Sequence, residues 1–190
     1  MTGPVQSRLQ NFSEPVAEVL NRYGNSPLPL TRSGFRNIED CRRFREIPSQ
    51  QLFPGARSPK EALSGLLLLI GSWDESHQVA QDLTSIEGQY WHVIAHRIEP
   101  DPGNAAYWFR QTGQHPIFPA LHACAAEILE KAETKPWHLG SSIWNPLQFI
   151  DWCSEARQRP GSVQEQIALS IQQAEWEMLF DFCAARGHTR

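Results

Sequence analysis

Apolar residues recur along this chain at three- and four-residue spacing, and clear start and stop signals cut that pattern into helices. Ser13-Glu14-Pro15 opens the first, with Val16, Val19, Leu20 and Tyr23 on one face and Gly24 closing it. Residues 25–57 carry many prolines and glycines and read as extended loop, with a short helix around Asn37 to Glu46. Ser58-Pro59-Lys60-Glu61 is a capping box that starts a helix bearing Leu63, Leu66, Leu67 and Ile70, ended by Gly71. Ser72-Trp73-Asp74-Glu75 is a second box, and its helix runs to about Leu83 with Trp73, His77, Ala80 and Leu83 on one stripe. The next helix, near Gly88 to Ile98, turns Trp91, Ile94, Ala95 and Ile98 inward and stops at Pro100. Asp101-Pro102 restarts a helix that ends at Gly113, and Pro116 to Ala132 forms another with Leu121, Ala125, Ile128 and Leu129. Asn145-Pro146 opens a helix with Phe149, Ile150, Cys153 and Ala156, broken by Pro160-Gly161. Ser162-Val163-Gln164-Glu165 opens a long final helix with Ile167, Ile171, Ala174, Met178 and Phe182, closed by Gly187.

No run alternates with period two, so the pattern predicts an all-α, single-domain bundle of roughly six to eight helices. It divides into a loop-rich segment with short helices over 1–57 and an all-α domain over 58–190. Shifting the chain by 28 residues lays Leu63, Leu66 and Leu67 over Trp91, Ile94 and Ala95. Both units then read as helix–turn–helix, a partial likeness to the helical hairpins of tetratricopeptide and Sel1-type repeats.

Composition narrows the classes. The 190 residues are 41% hydrophobic and 20% charged, which excludes wholesale disorder. The net charge of −4 gives no basic field for nucleic acid or an anionic membrane. The longest apolar run, Leu66 to Ile70, is far short of the ~20 residues that span a bilayer. Met1 to Gln10 lacks the apolar core of an export signal, so a cytoplasmic protein with reduced thiols is expected. Cys41, Cys124, Cys153 and Cys183 show no CxxC spacing and read as small core residues.

Candidate chemistry is concentrated between Trp73 and Pro116. His92 and His96 are four apart and share a helix face, and Asp74 and His77 share another. If these two helices pair antiparallel, Asp74 and His77 at the start of one meet His96 and Glu99 at the end of the other. His92 then sits one turn deeper, and Asp101 and Asn104 return to the same pole. Imidazoles and carboxylates are the ligand types of a divalent metal, so Asp74, His77, His92 and His96 are candidate metal ligands. Glu99 is the candidate general base for a hydrolytic site. The same stretch also suits a small polar ligand, with Arg97, Asn104, Tyr107 and Arg110 as binding groups. A plain structural role is also available: Asp74 complements a helix N-terminus, His96 a C-terminus, and His77 lies on a core-facing stripe.

Three strings carry a resemblance: Tyr90-Trp91-His92-x-Ile94-x-His96-Arg97-x-Glu99-x-Asp101, then Asn104-Ala105-x-Tyr107-Trp108-Phe109-Arg110, then Gly113-x-His115-Pro116. With Asp74-x-x-His77 upstream, the chain resembles a family of uncharacterised microbial proteins over about residues 59–118. The resemblance implies a common fold and carries over no catalytic residue.

Other candidates are weaker. Arg32, Arg36, Arg42, Arg43 and Arg45 offer phosphate contacts, but Glu39, Asp40 and Glu46 offset them and predict a solvated face. Ser141-Ser142 lacks the GxSxG context of a serine hydrolase, and neither a Walker loop nor GxGxxG occurs. The competing class is a helical-hairpin scaffold for a protein partner, without catalysis. Trp176, Leu179 and Cys183 lie partly off the main stripe of the last helix, which suits a homodimer.

Overall fold

The computed structural model describes residues 12–32, 38–132 and 143–187, and ten α-helices form among them. They are α1 (Glu14–Tyr23), α2 (Ile38–Glu46), the single-turn α3 (Ser49–Leu52), α4 (Pro59–Leu69) and α5 (Trp73–Gln81). They continue with α6 (Ile86–Ile98), α7 (Pro102–Thr112), α8 (Phe118–Lys131), α9 (Pro146–Ala156) and α10 (Val163–Ala184). Among the described residues no strand forms, only an isolated bridge between Ala56 and Arg186. The all-α class predicted by the apolar spacing is therefore the observed one. Met1 to Gln10, Arg36 and Ser141-Ser142 lie outside the described residues. No described helix is long and apolar enough to cross a membrane.

Helix α6 is the axis of the fold. Every residue from Tyr90 to Ile98 is buried, because α4, α5, α7 and α9 pack around it. The long α10 lies across α4, α8 and α9. Close approach of α4 to α6 needs a missing side chain: a Cβ at Gly65 would lie 2.6 Å from the Trp91 ring. The Trp176 indole donates to the Gly65 carbonyl at 2.8 Å, which ties α10 to the same point. The turn from α4 to α5 passes through Gly71 at φ +78°, a conformation open to glycine and costly for other residues.

The caps explain where several helices begin. The side chains of Ser85, Asp101, Asn145 and Ser162 accept backbone N–H groups in the first turns of α6, α7, α9 and α10. The boxes predicted at Ser58 and Ser72 do not close: neither hydroxyl makes a cap bond. Their glutamates are taken by tertiary partners. Glu61 accepts from the Ser85 hydroxyl at 2.6 Å, and Glu75 is paired with Arg45.

The surface proposed for a dimer is a further correction. Trp176, Leu179 and Cys183 are buried within the chain itself, where α4, α8 and α9 pack on α10. The N-terminal segment also joins the common core, through Val16, Val19, Leu28, Leu30, Phe44, Leu52 and Phe53.

A buried polar network locks α6 to α10. The Arg97 guanidinium is paired with the Glu175 carboxylate, and both are essentially inaccessible to solvent. Arg97 Nε also donates to Gln172 Oε1 at 3.1 Å, and the Tyr90 hydroxyl donates to Glu175 Oε1 at 2.8 Å. Phe149 lies under the guanidinium, with its ring centroid 4.6 Å away. Removing one partner leaves a buried charge uncompensated, which costs about 3–5 kcal/mol. Urea unfolding of Glu175→Ala is expected to show a loss of that order, and the Arg97→Met, Glu175→Leu pair a much smaller one. A loss under about 1 kcal/mol in Glu175→Ala would contradict a buried, unrelieved pair.

Candidate metal centre

His77 sits mid-way along α5, and His92 and His96 sit one turn apart on α6. Burial of α6 on its other sides leaves that face toward α5. The three rings meet there, with centroids 4.4 Å (His77–His92), 4.9 Å (His77–His96) and 4.6 Å (His92–His96) apart. His77 Nε2 lies 2.9 Å from His92 Nε2 and 3.4 Å from His96 Nε2. One ligand nitrogen from each residue lies within 4.8 Å of the others, a group that can hold a metal ion. Tetrahedral zinc with Zn–N bonds near 2.0–2.1 Å requires nitrogens about 3.3 Å apart.

Hydrogen bonding alone does not satisfy this arrangement. An imidazole Nε2 is either one donor or one acceptor. His77 Nε2 therefore serves one of its two neighbours and leaves the other without a partner. A cation at the centre takes the three lone pairs together.

Burial also prepares the rings for that role. His92 is pushed down to about 4, first by burial and then by the neighbouring His77 and His96. His96 is lowered by the same burial and by His77, partly offset by the carboxylates of Glu99 and Asp101. Both rings are neutral at neutral pH, the form that ligates metal.

No family model, curated protein or solved structure matches the chain. Function is therefore argued from this site alone.

The structure distributes the other sequence candidates around the triad. Asp74 is not brought into it: its largely exposed carboxylate is paired with Arg32. Glu99 Oε1 accepts from Arg32 at 3.0 Å, while its Oε2 lies 3.5 Å from His96 Nδ1. Glu99 thus faces the Nδ1 edge of His96, opposite the nitrogen that points to the cluster centre. Arg97 follows His96 but is rotated into the core toward Glu175, so it is not a solvent-facing ligand group. Asn104 is engaged in capping α7, donating its amide to Asp101 Oδ2 at 2.7 Å. The Asn104 backbone N–H, donating to Asp101 Oδ1 at 3.0 Å, and then that side-chain amide hold the Asp101 carboxyl below its usual range. Arg110 lines a separate cleft of about 370 Å³ with Phe109, Trp144 and Leu147. Tyr107 is exposed, and its neighbour Trp108 packs on His92 at 4.6 Å, so α7 supplies one wall of the site.

Arg32 is the site-flanking residue that sequence reasoning passed over. It is one of several arginines that sequence reasoning sets against Glu39, Asp40 and Glu46, whereas Arg43 pairs with Glu18 and Arg45 with Glu75. Glu175 carried a clearer signal. It falls on one helical line with Ile171 and Leu179, where a carboxylate calls for a buried cation.

His115, the last histidine of the resemblance string, is a buried ring packed against Tyr90, Phe118 and Phe182. Its Nδ1 accepts from the Ile117 amide at 3.3 Å, and burial pushes the ring down to about 4. The unfolded ring binds its proton near pH 6.5, the folded ring only near 4, so stability rises with pH across that window. His115→Gln keeps an acceptor for Ile117 and removes the titration. The stability gap between wild type and His115→Gln, measured in urea, is expected to narrow as pH falls from 6.5 to 4. A gap constant across that range would contradict a neutral buried His115.

Proposed function

We propose that this protein holds one divalent cation, zinc before others, on the Nε2 atoms of His77, His92 and His96, and uses it for hydrolysis of a small polar substrate. The observation that carries this reading is the convergence of three imidazole nitrogens on one point, where a single hydrogen bond at His77 Nε2 cannot serve both neighbours. Three nitrogen donors with a fourth position left for water is the ligand count of catalytic rather than structural zinc. Bound there, a divalent ion would supply Lewis acidity and bring a water's pKa to about 7.

The chain's own groups support that role. Burial of His92 and His96 keeps two donors deprotonated without a competing acid. His77 is only partly buried, which leaves a path to solvent. Trp108 walls the site beside His92, and the exposed Tyr107 stands next to it, available to a ligand at the rim. A half-buried aromatic wall limits water on that side, and less water strengthens the field around a bound cation.

Tag-free protein incubated with zinc under reducing conditions and desalted is expected to retain about one zinc per chain. The His92→Ala, His96→Ala variant should bind it more than about 100-fold more weakly, beyond the loss typical of residues outside the ligand set. Equal retention by the wild type and the variant would overturn the assignment.

A further inference from the structure

Arg32 reaches the metal-holding histidines from far away in the sequence, and it does so from a fixed platform. Gln172 on α10 donates to the backbone carbonyls of Leu28 at 2.9 Å and Pro29 at 3.0 Å. Leu28 and Leu30 are buried in the common core. The segment therefore presents Arg32 at a set height above the pole where α5 begins and α6 ends. Its guanidinium spans two carboxylates, Asp74 on α5 and Glu99 at the end of α6. A planar fork with five donors suits that bridge, and lysine does not reproduce it.

Glu99 is the shared element. One oxygen accepts from Arg32 and the other faces the Nδ1 edge of His96. That Nδ1 is itself buried and has no hydrogen-bond partner within bonding geometry. A buried, unpartnered ring nitrogen with a carboxylate oxygen 3.5 Å away is set to donate to that carboxylate. Once the Nδ1 carries the proton, Nε2 carries the lone pair, and Nε2 is the atom aimed at His77.

We propose that Arg32 and Glu99 form a positioning relay for the triad. Arg32 fixes the Glu99 carboxylate against the Nδ1 edge of His96, and this sets the His96 tautomer that turns a lone pair toward the cation site. The relay rests on the reading that the triad takes a metal, and it makes docking of the N-terminal segment a condition of full metal affinity. Neither residue touches the cation or the substrate, so both are positioning residues. Outer partners of ligating histidines characteristically contribute about 10–100-fold to metal affinity.

The test uses the full chain, with two readouts. The first is the His96 tautomer in metal-free, 15N-histidine-labelled protein at pH 7.5, read from two-bond 1H–15N correlations. The second is zinc affinity by competition with a chromophoric chelator. Wild type and Asp74→Asn, which spares the Arg32–Glu99 contact, are expected to show His96 with its proton on Nδ1 and to hold zinc within about threefold of one another. Glu99→Ala and Arg32→Gln should both shift the proton toward Nε2 and weaken zinc by about 10-fold or more. The double variant should be no weaker than the worse single one, because both act through one path. Arg32→Lys should recover part of the loss. All these positions keep solvent exposure, and thermal unfolding checks that the fold is kept. A wild-type His96 protonated on Nε2, or an Arg32→Gln variant unchanged in both readouts, would overturn the relay. Zinc absent from the wild type while the tautomer follows the expected pattern would overturn the metal reading and leave the positioning of His96 standing.

Discussion

The rotation of α6 about its own axis is fixed by one buried ion pair, and the rest of the site follows from it. Arg97 lies within the core and finds its carboxylate partner in Glu175 on α10. A charge taken out of water without such a partner costs several kcal/mol. With Arg97 turned to α10, the neighbouring His96, and His92 one turn earlier, face α5. The same network fastens the incoming N-terminal segment, since Gln172 accepts from Arg97 and donates to Leu28 and Pro29. One pair of charges thus orients the histidines and places the arginine that flanks them.

The consequence for the site is a concentration of nitrogen lone pairs in a region with little water. Protonation is the ordinary escape for crowded imidazoles, and burial opposes it at His92. Mutual hydrogen bonding is the other, and the two contacts at His77 Nε2 exceed what one nitrogen offers. A soft or borderline cation relieves both strains. The carboxylates that composition placed near the pole are then not ligands. Asp74 and Glu99 share the Arg32 guanidinium at the rim, and neither belongs to the group of three nitrogens.

Much of this was legible in the chain. The apolar periodicity and the stop signals placed the longer helices to within a few residues, because glycine, proline and capping side chains act locally, while the single-turn α3 lies in a stretch read as loop. Sequence reasoning supposes an antiparallel pairing of α5 and α6, and the two helices do pack together across the short link 82–85. That pairing brought His77, His92 and His96 to one place. What was not legible depended on contacts between distant segments. Ser58 and Ser72 look like box caps until Ser85 and Arg45 claim their glutamates. Arg97 looks like a ligand contact until Glu175, far along the sequence, draws it inward. Trp176, Leu179 and Cys183 look unpartnered only if α10 has a single neighbour, and α4, α8 and α9 all pack on it. Arg32 is one arginine in a mixed run, and nothing local distinguishes it from Arg43 or Arg45.

The central claim is that three histidine nitrogens hold one cation with no carboxylate or thiolate in the ligand set. X-ray absorption at the zinc edge of reconstituted protein tests it directly. The predicted result is about three imidazole nitrogens and one light atom at ~2.0–2.1 Å, with the outer-shell scattering pattern of imidazole. A sulfur shell near 2.3 Å, or a light-atom shell lacking the imidazole pattern, would contradict it.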